Sequence, residues 1–312
     1  MRVISDLGQV KAQFKRPVVA IGIFDGLHLG HQFLLKKAVF RAKKIKGTSV
    51  VVTFYPHPSH VLAPKKELTF LISLKERLRL LKRLGVEVCV VIEFSRRFSQ
   101  IKSEVFLQNH LIAKLHPQEI FVGEDFVFGS DRKGNIELLQ KLGKKIGFKV
   151  RAIPPVKVYG LIVSSTLIRG LVKRGQLFKV GRMLNRLVTI SGRVIKGVGK
   201  GKRLGFPTVN IKDYEGMLPG YGVYVVRVLW RNNRYFGMAF IGRRPKSLKI
   251  KGAPLIEANI FNFNRSIYGE EISVEFLKKI REEKEFTNDS NLAAQLKKDL
   301  RSSQRIISAF RY

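Results

Sequence analysis

V-V-A-I-G-I-F-D-G-L-H-L-G-H, residues 18–31, decides how the fold is read. Val18, Val19, Ala20 and Ile21 make a continuous apolar run of the kind a buried strand needs, and Gly22, Gly26 and Gly30 punctuate the turn that follows. Glycines at such a turn let backbone approach a ligand closely, with no Cβ in the way. A helix beginning near Gly30 aims unsatisfied N–H groups at an anion. His28 and His31 lie three apart, so both reach one point, where imidazoles can donate hydrogen bonds to phosphate oxygens and to charge developing on a leaving group. Phe24 and Asp25 complete the loop of a candidate nucleotide site. A pair of capping or surface histidines is the other reading, and the motif alone leaves both open.

Outward from this stretch, apolar runs at 49–54, 86–94, 119–122 and 149–153 join the one at 18–24, and amphipathic segments separate them. Leu34, Leu35, Ala38, Ala42 and Ile45 recur at helical spacing with lysines opposite, and helices are expected over 74–84, 105–111 and 136–146. This β-α-β rhythm predicts an α/β, Rossmann-like domain: a parallel sheet covered by helices on both faces, with ligands at the carboxyl ends of the strands. From Leu187 the character changes to short β-rich runs, 188–195, 222–230, 235–241, 255–263 and 272–277, broken by Gly, Pro and Asn. That pattern predicts a small antiparallel barrel or sandwich, closed by a C-terminal helix over 291–301 with Leu292, Leu296 and Leu300 facing it. The domains are expected to be 1–183 and 184–312.

The 312 residues carry 59 Lys and Arg against 23 Asp and Glu, a formal net charge of +36. No carboxylate occurs between Glu137 and Asp213. Such a surface attracts polyanions, from nucleotides to nucleic acid, although a lysine-rich solvated exterior would look the same. No apolar run approaches the roughly 20 residues of a membrane helix, and the first ten residues lack the apolar block of a signal peptide, so a cytoplasmic location is expected. The single cysteine, Cys89, sits in an apolar run and reads as a buried strand residue.

Further constellations carry chemistry. T-F-Y-P-H-P, 53–58, ends the second strand with Phe54, Tyr55, Pro56 and His57, a stiff aromatic loop suited to a flat ring or simply to packing. V-G-E-D-F-V-F-G, 122–129, sets Asp125 beside Phe126 and Phe128, a carboxylate among aromatics that could position a ribose or a heterocycle. S-S-T-L-I-R, 164–169, offers Ser164 and Thr166 at a helix start with Arg169 one turn in, a second phosphate clamp or a plain cap. G-K-G-K-R-L-G-F-P-T-V-N, 199–210, could wrap a polyphosphate with Gly201 and Lys202, while Thr208 and Asn210 are hard oxygen donors suited to Mg²⁺. Glu257, in L-I-E-A-N-I-F, is either on a strand's outward face or a general base at a barrel mouth.

These motifs, in this order over nearly the whole chain, with G-V-Y, Y-G and R-E-E-K-E-F added, resemble the prokaryotic bifunctional riboflavin kinase and FAD synthetase family. The resemblance implies an N-terminal FMN adenylyltransferase and a C-terminal riboflavin kinase barrel, which use ATP and Mg²⁺ to convert riboflavin to FMN and then FMN to FAD with release of pyrophosphate. It implies that His28 and His31 handle phosphate, that Ser164, Thr166 and Arg169 form a second clamp, and that Gly22, Phe24, Asp25, Gly26, Asp125, Gly201 and Lys202 contact nucleotide. Phe54, Pro56, Phe126, Phe128 and Arg281 would bind flavin, Thr208 and Asn210 would hold Mg²⁺-ATP, and Glu257 would take the proton from the riboflavin hydroxyl. Partners are then small molecules, with neither nucleic acid nor membrane involved, and a monomer or weak oligomer is expected.

The sequence departs from the family pattern mainly in the second half. Lys202 stands where an arginine is usual, Phe240 and Lys246 replace Asn and Thr, and Asn262 and Ser266 replace carboxylates. A protein with adenylyltransferase activity only, and a basic nucleic-acid-binding protein, are the rival readings.

Overall fold

A computed structural model describes residues 1–10, 14–64, 69–197, 199–243 and 254–309, which fall into two compact units, Met1–Ser165 and Thr166–Tyr312.

The first unit is built on strands β1 (Arg2–Ile4), β2 (Val18–Ile21), β3 (Ser49–Tyr55), β4 (Val88–Glu93), β5 (Glu119–Gly123) and β6 (Lys149–Ile153). They form one parallel sheet in the order β1-β4-β3-β2-β5-β6. Helix α1 (Leu29–Lys44) links β2 to β3, and α2 (Pro58–Leu62) and α3 (Leu74–Arg83) follow β3. The short helices α4 (Arg96–Ser99), α5 (Ser103–Val105) and α6 (Ala113–Leu115) lie between β4 and β5, and α7 (Ile136–Ile146) leads to β6. The helix expected over 105–111 is a π-helical segment, Phe106–Ile112, set between α5 and α6. The edge strand β1 had no counterpart in the sequence reading.

Alternate strand residues separate the two faces of the sheet. Val19, Ile21, Val50, Val52, Ile120 and Val122 pack with the π-helical segment and α7, whereas Val18, Ala20, Val51, Cys89 and Phe121 pack under α1 and α3. All four residues of β2 are therefore buried, as a central parallel strand requires. The chain runs from β2 outward to β3 and β4, then returns to β5 on the other side of β2. This reversal opens a crevice at the carboxyl ends of β2 and β5, where ligands bind in sheets of this kind. A small hairpin, β7 (Lys157–Val158) and β8 (Leu161–Ile162), completes the unit.

Helix α8 (Ser165–Lys173) begins at the unit boundary and is followed by α9 (Leu177–Leu184). Beyond them come β9 (Val188–Ile195), α10 (Lys200–Arg203), β10 (Val209–Glu215), β11 (Gly222–Trp230), β12 (Asn233–Gly242), β13 (Leu255–Ile260), β14 (Glu271–Arg281) and α11 (Asp289–Ala309). The strands close an antiparallel barrel in the order β10-β13-β12-β11-β14-β9, with β9 pairing to β10. Strand β10 starts on the last two residues of the stretch read as a phosphate loop, Val209 and Asn210, and continues over residues where no strand was expected. The compact division falls at 165/166, with α9 packing on β9 and β14 and Gly220 N–H donating to Val172 O of α8.

Helix α11 runs longer than expected, and its inward stripe carries polar residues beside the leucines. Leu292, Leu296 and Leu300 are only half-buried, whereas Asp299, Ser303 and Ile307 are buried. Asp299 can lie inside because Arg281 of β14 pairs with both its oxygens, at 3.0 and 2.9 Å from Nε, and Gln295 donates a further bond.

Candidate functional sites

At the carboxyl end of β2 the loop 22–28 folds back on itself. Phe24, Gly26 and Leu27 all have positive φ, at 52°, 78° and 42°. A Cβ on Gly26 would come within 2.6 Å of Leu71 Cδ1, so both conformation and space call for glycine there. Non-glycine residues in this region are strained and persist only where the surroundings hold them. Here the buried Asp25 carboxylate accepts from Leu71 N–H at 3.1 Å, and Ser165 Oγ donates to Asp25 O at 2.9 Å.

His28 is the N-cap of α1: its Nδ1 accepts from His31 N–H at 3.4 Å. A neutral imidazole that accepts at Nδ1 carries its proton on Nε2, which remains a donor. Capping and ligand handling, open alternatives in the sequence, are compatible in one ring. The His28 and His31 rings stack with centroids 3.6 Å apart, and Phe24 meets His31 edge-on at 5.3 Å. Burial, followed by the nearby His28 and Arg77 charges, pushes the His31 pKa well below its usual value, so this ring is uncharged at neutral pH.

Phe24 and Asp25, expected among the nucleotide contacts, are each only 1% exposed. Their side chains face the interior: Phe24 supports His31 and lies against Gly22, and Asp25 holds the loop. Asp125 is exposed just past β5, beside the crevice. Phe126 and Phe128 stack at 5.1 Å, and Phe54 lies with Phe94, Phe98 and Phe106. Phe106 is buried, and the other rings and Pro56 are half-buried around it as an aromatic wall. His57 caps α2 by accepting from Ser59 N–H at 3.1 Å. Ser164 immediately precedes α8, and Thr166 and Arg169 lie on its first turns.

Arg77 was not singled out in the sequence, where an arginine on an amphipathic helix reads as a solvated face. It is 0% exposed. Its Nη1 donates to Ile23 O, Phe54 O and Thr53 Oγ1 at 3.0, 3.1 and 3.4 Å, joining the loops that leave β2 and β3.

In the barrel, Asn210 and Glu257 are register partners on β10 and β13. Glu257 lies on the face opposite the buried Ile256 and Ala258, yet it is half-buried, with Phe240 as its register partner on β12. Burial pushes its carboxyl pKa up, and a hydrogen bond from Asn210 only partly opposes this. A Cβ on Gly201 would meet Phe206 O and lie 3.2 Å from Thr208 Oγ1, so this glycine leaves a small cradle beside the threonine. Lys202 is exposed next to it. Arg281, expected to contact flavin, has its guanidinium engaged by Asp299 and Glu282 O. Asn262 and Ser266 are exposed, and Lys246 lies outside the described residues.

Residues 10–167 match the family model for FAD synthetase and residues 184–307 the one for riboflavin kinase. A bifunctional riboflavin kinase/FMN adenylyltransferase of Buchnera aphidicola subsp. Schizaphis graminum is 35% identical, covering 96% of this chain and 97% of its own length. The chain belongs to the bifunctional riboflavin kinase/FMN adenylyltransferase family. The Bacillus subtilis member of the family is 33% identical, covering 97% of this chain and 96% of its own. A crystal structure from Streptococcus pneumoniae, described as a macrolide-efflux protein, aligns with a TM-score of 0.86 at 31% identity, covering 97% of this chain and 98% of that one. Among the described residues here, no helix is long and apolar enough to cross a membrane.

Proposed function

We propose that the chain makes FMN from riboflavin in its second half and FAD from FMN in its first, with residues 1–183 and 184–312 as the functional modules and ATP as co-substrate of both. The observation that carries the reading is the stacked His28–His31 pair at the start of α1, placed where the strand order reverses in the half that matches FAD synthetase.

In the kinase half, the terminal ribityl hydroxyl attacks the γ-phosphorus of ATP, and the bond to the ADP oxygen breaks as the new one forms. Glu257 takes the hydroxyl proton, and its raised pKa makes it a stronger base than an ordinary carboxylate. Among the described residues, no cluster of three or more His, Cys, Asp and Glu could hold a metal alone. The Thr208 hydroxyl beside the Gly201 cradle and the Asn210 amide, which lies against Gly197, are oxygen donors that fit a cation sharing its shell with phosphate and water, as Mg²⁺ does. When bound, Mg²⁺ would neutralise phosphate charge, and Lys202 would add to that.

In the adenylyltransferase half, an FMN phosphate oxygen attacks the α-phosphorus of ATP and the bond to pyrophosphate breaks. His28 and His31 donate to phosphate oxygens, and the first N–H groups of α1 face the same charge. Gly22 and Gly26 shape the turn, and Ser164, Thr166 and Arg169 provide a second set of phosphate contacts. Asp125 contacts the nucleotide, and Phe54, Pro56, Phe126 and Phe128 wall the flavin. The protein acts in the cytoplasm on small molecules, as a monomer or weak oligomer.

Product analysis over time, from riboflavin with ATP and Mg²⁺, tests the reading: FMN should appear before FAD. His28→Ala should lower FAD formation about a hundredfold while sparing FMN formation. Glu257→Ala should lower FMN formation at least about a hundredfold while leaving FAD formation from supplied FMN. Joint loss of both products from either substitution would refute separate sites. Phe240 beside Glu257 favours a second reading, an adenylyltransferase with a silent barrel, which predicts FAD from FMN but no FMN from riboflavin.

A further inference from the structure

Two polar side chains beneath the adenylyltransferase site carry buried atoms with no hydrogen-bond partner among the described residues: Nδ1 of His31, and Nε and Nη2 of Arg77. Native interiors rarely leave such groups unmet, and those that persist call for a ligand, a water or a functional reason. Arg77 is the more demanding of the two, because it is 0% exposed and none of its hydrogen bonds goes to a carboxylate, although the charge of Asp25 favours its cationic form. Asp25, the nearby acid, turns both oxygens to Leu71 N–H at 3.1 and 3.3 Å. A buried cation that an acid offsets only through space, without a direct hydrogen bond, still projects charge into a neighbouring site.

The bonds that Arg77 does make show where that charge is held. All three go through Nη1 to the ends of neighbouring strands: Ile23 O after β2, and Thr53 Oγ1 and Phe54 O at the end of β3. Thr53 Oγ1 also donates to Ile23 O at 2.9 Å, so one nitrogen and one hydroxyl fasten together the loop that carries Phe24 to His28 and the loop that carries Phe54 to His57.

We propose that Arg77 is a positioning residue for adenylyl transfer, a buried cation hydrogen-bonded to no carboxylate that fastens these two loops and supplies fixed positive potential to the site that receives the pyrophosphate group. This rests on the assignment of FAD synthesis to the first half. The site's affinity for polyphosphate then depends on a charge that touches no phosphate, while its affinity for an uncharged nucleoside does not.

The test compares Arg77→Met, which removes the charge, with Arg77→Lys, which keeps it and gives up the fork. Each is assayed for FAD formation from FMN and ATP, with inorganic pyrophosphate and adenosine as inhibitors, and FMN formation from riboflavin reports a folded barrel in the same sample. Arg77→Met should raise the inhibition constant for pyrophosphate about tenfold and leave that for adenosine within about twofold. Arg77→Lys should return the pyrophosphate constant to within about threefold of the parent value. Equal weakening of both inhibitors in Arg77→Met, or failure of Arg77→Lys to restore pyrophosphate inhibition, reduces Arg77 to a tie between loops and overturns the proposal. If Arg77→Met does not fold, Arg77→Gln takes its place under the same criteria. A parent protein that forms no FAD at all would instead remove the assignment on which the inference rests.

Discussion

His31 presents an uncharged ring, held between the edge of Phe24 and the face of His28. Its proton NMR resonance should therefore show no titration near the ordinary histidine value in the free protein, and a midpoint close to about 6.5 would contradict that. The sign for stability follows: below the unfolded-state pKa the denatured chain takes up a proton that native His31 refuses, so this residue makes the protein less stable as pH falls. Glu257 behaves oppositely, with a carboxyl held above its usual range. The acid limb of FMN formation, followed through kcat/KM for riboflavin at saturating ATP, should lie above the ordinary carboxylate range. At this scale the sequence displayed the histidine pair and left Glu257 between two alternatives, which the barrel reconciles: an outward-facing residue that is nevertheless half-buried. Arg77 stayed hidden because its burial arises from strand ends that are remote in sequence.

Helix α11 is held to the barrel by a largely buried ion pair between Arg281 and Asp299, with 18% and 2% of the respective side chains exposed. Removing one partner of such a pair leaves an uncompensated charge, so Arg281→Leu should destabilise the protein by about 3 kcal/mol, measured by denaturant unfolding. It should leave the KM for riboflavin of the remaining folded protein unchanged. A raised KM at unaltered stability would return Arg281 to the flavin site. The leucines of this helix mark its inward stripe, but their spacing cannot show that Asp299 shares it, because Arg281 and Gln295 are what make an aspartate admissible inside. Regular elements were the legible ones: α7, β6, β9 and β11 begin and end where periodicity puts them. The π-helical segment has the apolar content of any helix, and β10 follows Gly205 and Pro207, which read as loop.

Over the whole molecule, the excess of cations over anions acts on anionic substrates before they reach either site. Raising ionic strength shortens the screening length from about 30 Å at 0.01 M to about 8 Å at 0.15 M. The KM for ATP should therefore rise across that range while kcat holds, and a flat KM would show the surplus charge to be irrelevant to substrate capture. The two-part organisation was legible from the shift in strand character near Leu187, whereas the compact boundary lies earlier because α9 rests on the barrel strands. The same division gives each half a private spectroscopic or chemical reporter. The chain has one tryptophan and one cysteine: Trp230, 5% exposed, in the barrel unit, and Cys89, 0% exposed, in the sheet unit with a thiol pushed up to about 12. Intrinsic fluorescence therefore follows the barrel, and thiol labelling under denaturant follows the opening of the sheet. The order in which the halves come apart can be read without introducing a label or changing a residue.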